Sequence, residues 1–191
     1  MDEFQAPRWA KPAPLGYGQA ADAAHFVAAP LLASACVAMI GVIGADGEKF
    51  RWPGPALLAL SLAGMSLVGS IQYGFHARAL LYSAGDLEDW WGSEDLEGRK
   101  EALQKRQRDD YERWRATIEH AVATYNLGIT LLGAGVTFCL APPVDAVGAQ
   151  MAFRWIACAA VAVGTLAELA WTLLAPRLDI RLPALKRRRG T

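Results

Sequence analysis

The residue with the most chemistry to offer is Glu168. It sits inside an apolar block that runs from about Met151 to Ala175 and stops at Pro176. That places its carboxyl roughly 10 Å in from the end of the block. An ionisable group at such a depth is expensive in hydrocarbon and usually faces the interior of a helix bundle. Ala157, Ala160, Gly164 and Glu168 step by three, four and four, so they share one helix face. Small residues on a membrane helix mark close helix contact, so Glu168 is expected to point into a packing seam. Its candidate companions are His120 and Thr124 on a third block and Gln72 and His76 on a second. Together these five form a candidate intramembrane polar cluster. A polar staple that fixes helix register is the favoured reading. A proton- or ion-responsive site is the alternative, since an imidazole beside a carboxylate titrates near neutral pH.

Positioning those groups requires membrane helices. Apolar residues make up 53% of the 191, and the charges fall between four apolar blocks instead of interleaving with them. That segregation is the pattern of membrane spans. The first block runs from about Ala23 to Ala45 and contains Pro30; the second runs from about Gly54 to His76, with helix continuing through Leu81. The third, about Ala121 to Ala141, ends at Pro142-Pro143. Each is long enough for the ~30 Å of a bilayer core. The expected fold is all-α: a membrane four-helix bundle with a cytoplasmic helical extension between helices 2 and 3. The segments are an N-terminal stretch 1–22, helices 1 and 2 in 23–76, a charged loop 77–118, helices 3 and 4 in 119–176, and a basic tail 177–191.

The charged loop has its own structure. Asp86 to Glu97 carries six acidic residues and no basic one. Ser83 and Asp86 fit a capping box and Gly92 fits a helix stop, which predicts a short helix bearing Leu87, Trp90 and Trp91. Trp90, Trp91 and, on the helix that follows, Trp114 are candidate partner or interface contacts, with packing of the Trp pair on the neighbouring helix preferred over a dedicated partner site. A helix from Lys100 to Ala141 would be ~60 Å long, twice the bilayer core. Its exposed half keeps an apolar stripe of Leu103, Gln107, Tyr111, Trp114 and Ile118, which needs a cover.

Fourteen of the nineteen Lys and Arg lie in the loop and the tail. The positive-inside rule therefore predicts a multi-pass protein of the cell membrane with both termini cytoplasmic. The first block reads as a retained helix, not a cleaved leader. Lys186, Arg187, Arg188 and Arg189 are candidates for contact with anionic lipid headgroups. The zero net charge and the single short basic run argue against nucleic acid. Cys36, Cys139 and Cys158 lack metal-ligand spacing, so no metal or cofactor is expected. No nucleotide, hydrolase, zinc-protease or channel-filter motif occurs.

The stretch YSAGDLEDWW, the Arg-rich helix after it, and AVATYNLGITLLGAG with LAPP resemble uncharacterised four-helix membrane proteins of high-GC actinobacteria. The resemblance covers roughly residues 55–145 and implies no activity. The expected function is therefore non-enzymatic: action through homo-oligomerisation or a protein partner. A small pore, or a proton-responsive protein using Glu168, is the alternative. A lipid-acting membrane enzyme ranks third.

Overall fold

The computed structural model describes residues 9–10, 12, 15–145 and 147–174, with the side chains of 93–97 excepted. The basic run Lys186 to Arg189 and its proposed lipid contacts lie outside the described residues. The chain is all-helical. Helix α1 spans Tyr17–Ala45, α2 Pro53–Arg78, α3 Ala84–Trp91, α4 Ser93–Leu140 and α5 Gly148–Leu174. All but α3 are long and apolar enough to cross a membrane. Val37, Met65, Phe153, Val163 and Leu166 stand exposed along them, as lipid-facing side chains do.

The bundle is built around α2 and α4. The inward stripe of α2 is Ala56, Leu60, Ala63, Leu67, Ser70, Gly74 and Ala77, with steps of four and three throughout. Helix α4 answers with Ala121, Gly128, Gly135 and Cys139. A sustained step of 3.5 keeps two helices facing each other over many turns, with knobs set into holes. Leu67 and Leu60 are the knobs. A Cβ on Gly128 would meet Leu67 Cγ at 2.7 Å, and one on Gly135 would meet Leu60 Cγ at 2.7 Å. Helix α1 leans on α2 through Ala29, Cys36 and Ile43. Helix α5 leans on α4, with Cys158 buried and its thiol 3.4 Å from the Thr137 carbonyl. The three cysteines are free thiols.

The seam of α4 continues beyond the apolar block. Trp114, Gln107 and Gln104 are buried on the same face, so the extension and the span form one rod of 48 residues, ~72 Å long. This helix begins at Ser93, earlier than the expected start near Lys100, and runs through Gly98. A single glycine costs a helix only about 1 kcal/mol, too little to break it. Helix α2 ends at Arg78, three residues short of the expected Leu81, and Leu80 and Leu81 fold back onto Trp114 and Ile118. The cover for the α4 stripe comes from the chain itself. Tyr17 sets its edge on Trp114 at 5.9 Å. The Gln107 side chain clamps Ala10, accepting from its N–H at 2.9 Å and donating to its carbonyl at 2.7 Å.

Helix α3 is fixed at its start by both halves of the capping box. The Asp86 N–H donates to Ser83 Oγ at 3.2 Å and the Ser83 N–H donates to Asp86 Oδ2 at 2.6 Å. These bonds hold the Asp86 carboxyl below its usual range. Gly92, at φ +75°, makes the turn into α4 that a side chain would strain.

Candidate functional site

The expected cluster of Glu168, His120, Thr124, Gln72 and His76 does not assemble. His76 Nδ1 bonds the Gln72 carbonyl at 2.8 Å, and His120 Nδ1 bonds the Ala116 carbonyl at 2.7 Å. Thr124 donates to the His120 and Ala121 carbonyls of its own helix, at 2.9 and 3.0 Å. Each is satisfied one turn back along its own backbone. The physical reason is helix rotation. The seam of α2 uses Ser70, Gly74 and Ala77, which turns Gln72 and His76 outward. His120 is likewise exposed and lies against Tyr73, ring to ring at 5.7 Å.

Glu168 is half-buried in an open groove of about 500 Å³ between α4 and α5, lined by Ile129, Thr130, Gly133 and Thr165. Its carboxylate makes no hydrogen bond or ion pair among the described residues. The face that α5 turns to α4 is rotated from the expected one. Cys158, Val161 and Thr165 carry the contact, with Thr165 seated against Gly133, while Ala160 and Gly164 stay exposed. A Cβ on Gly164 would meet nothing within 4 Å. The small-residue step on α5 is therefore unused among the described residues.

The polar centre that the helices do build is at His25. It is 1% exposed, and Ser70 and Tyr125 enclose it from α2 and α4. Its Nδ1 and Ser70 Oγ share a hydrogen bond of 2.7 Å. The edge of the ring stands against Tyr125 at 5.8 Å and 85°. Its Nε2 is buried with no hydrogen-bond partner among the described residues. Such an orphan typically costs about 1–3 kcal/mol. One side chain from each of α1, α2 and α4 thus meets at this point.

Two features of the backbone make room for this histidine. Residues Ala24–Ala28 form a π-turn, in which the Ala29 N–H reaches back five residues to the Ala24 carbonyl. Pro30 explains its place: a proline ring collides with the carbonyl four residues before it and has no N–H to offer, so the widened turn absorbs the conflict. On α2, Gly74 lets the ring approach. A Cβ there would stand 2.8 Å from His25 Cβ and 3.1 Å from Cγ. Beside the ring a cavity of about 230 Å³ opens between α1, α2 and α4, lined by Asp22, His25, Phe26, Gly74, Arg78 and Trp114 among others. Arg78 pairs with Asp22 at 3.6 Å in its exposed rim.

His25 is not among the sequence-based candidates because it lies within an apolar block that carries no formal charge. Two signals pointed to it: Asp22 lies three residues before it and Pro30 five after. The candidate contact residues divide. Trp114 is buried in the seam, whereas Trp90 and Trp91 are 67% and 43% exposed. Leu87 is the buried residue of α3, while Trp90 lies against the Tyr82 ring at 6.2 Å. Trp91 instead carries the Arg99 guanidinium over its ring at 5.1 Å. Among the described residues no three His, Cys, Asp or Glu side chains converge as a metal site would require.

No protein-family model, curated protein or solved structure matches the chain. The four apolar helices make it a membrane protein.

Proposed function

We propose that this protein is a multi-pass protein of the cell membrane, with both termini and the α4 extension in the cytoplasm, that acts through association with a second copy of itself. The observation that carries this reading is Glu168, an acid at membrane depth in a groove that the described residues leave open. Lipid tails offer a carboxyl no hydrogen bond, so a group placed there is normally met by another helix. The exposed step from Ala160 to Gly164 beside it allows close backbone approach, the usual geometry of membrane helix pairing. The Lys and Arg distribution supports the orientation.

A pore is the weaker reading. Conduction needs polar groups along the axis of the bundle, and among the described residues of the apolar blocks the buried polar side chains are His25 and Ser70, bonded to each other. For an enzyme acting on lipids, His76 and His120 are exposed, each held by a carbonyl of its own helix, and among the described residues no cluster of three His, Cys, Asp or Glu side chains forms.

The test is the oligomeric state in lipid nanodiscs, by mass photometry or subunit counting. The wild type is expected to be a dimer or larger. Gly164→Leu is the informative variant, because its side chain enters open space in the single chain and blocks only an approaching helix. It is expected to give folded monomer. A monomeric wild type, or an unchanged dimer with Gly164→Leu, overturns the proposal.

A further inference from the structure

We propose that His25 is a proton-binding site fed by water through the cavity between α1, α2 and α4, and that proton binding there loosens the seat of α1. The observations are geometric. Nε2 is a polar atom buried without a partner, in a side chain that lines a cavity of about 230 Å³. At ~30 Å³ per liquid water, that space admits several molecules. Its rim carries an exposed ion pair, Asp22 with Arg78, which keeps it wet.

The proton balance is simple. When Nδ1–H donates to Ser70 Oγ, Nε2 presents a lone pair. Nε2 is shut from solvent in the closed packing, so a hydronium ion arriving through the cavity reaches that lone pair only as α1 eases from α2; it then transfers its proton and leaves as water, giving an imidazolium. The groups facing it are Asp22 on its own helix, Ser70 and Arg78 on α2, and Tyr125 on α4. The Asp22 carboxylate lies one helical turn away as counter-charge; Arg78 opposes it. Helix α5 contributes no group to the cavity.

The charged ring needs hydration that the tight side of its pocket denies. His25 Cβ already stands against Gly74, so the ring gains room only if α1 moves from α2. The π-turn gives that movement a route, since helices bend at prolines and π-bulges and the residues before Pro30 can tilt about that point. Those residues include Tyr17, whose ring closes on Trp114. Protonation inside the membrane layer is thereby coupled to the packing of the N-terminal segment on the α4 extension.

The experiment is nitrogen NMR of the full chain with labelled histidine in nanodiscs, titrated from about pH 4 to about pH 9. Three histidines give three pairs of ring-nitrogen signals, and His25→Gln identifies the Nε2 signal sought by the pair it removes. That signal is expected to titrate within the folded range, together with hydrogen exchange at residues 17–29. Asp22→Asn serves where His25→Gln fails to fold. It removes the counter-charge and unmasks Arg78, so the His25 midpoint should fall by about one pH unit while those of His76 and His120 hold. A His25 signal that stays neutral throughout, a midpoint indifferent to Asp22→Asn, or titration with no change in exchange of α1 overturns the proposal.

Discussion

Gly74→Ala is the sharpest probe of the seam around His25. The added Cβ would stand 2.8 Å from His25 Cβ, and ordinary contact begins at 3.4 Å, so α1 must retreat by about 0.6 Å at the least. Neither neighbour can yield alone, because both contacting atoms sit close to backbone. Inserting a methyl into such a site typically costs about 1–3 kcal/mol. Against this stands the helix preference of Ala over Gly, about 1 kcal/mol in water. It is smaller in a membrane, where the unfolded chain keeps its helices. The net expectation is a loss of about 1–2 kcal/mol. Gly64→Ala is the control on the same helix. Its Cβ would meet Cys36 Cβ at 3.7 Å, an ordinary contact, so that variant should be neutral or slightly more stable. The assay is reversible unfolding by denaturing detergent in mixed micelles, read by tryptophan fluorescence. Equal midpoints for the two variants would refute the claim that Gly74 is required by the approach of His25.

Two further outcomes follow from the extension. Tyr82 donates to Asp110 Oδ2 at 2.9 Å, and burial, that bond and the carboxylate charge push its hydroxyl up to about 12. The folded state holds this proton more tightly than the unfolded chain, whose tyrosine titrates near 10.0. The contribution is therefore whole below about pH 10 and lost as pH rises toward about 12. Tyr82→Phe should flatten that alkaline fall and lower stability by about 1 kcal/mol at neutral pH; an unchanged alkaline profile would argue against the bond. Gln107→Ala removes both hydrogen bonds of the Ala10 clamp. Limited proteolysis before Tyr17 should then run roughly fivefold faster, as loss of about 1 kcal/mol implies, while cleavage elsewhere stays the same.

The spans were legible because a bilayer imposes a one-dimensional rule: about twenty apolar residues, with charges outside. Pro142 and Pro143, the capping box at Ser83 and the stop at Gly92 were equally local, and each depends on a few neighbouring residues. The α4 stripe was also visible at Gln107, Trp114 and Ile118, since the 3.5-residue step is written in the sequence.

What only the tertiary structure decided was which way each helix faces. A membrane helix is apolar nearly all round, so composition does not distinguish a lipid face from a seam. The choice fell to glycine-for-leucine fit, with Leu60 in Gly135 and Leu67 in Gly128. That fit turned His76 and His120 outward and Ser70 and Gly74 inward. It left Glu168 in an open groove, and it moved the polar centre to His25, a residue whose sequence surroundings are apolar and whose partners lie 45 and 100 positions away. Contacts that distant are set by packing, not by local pattern.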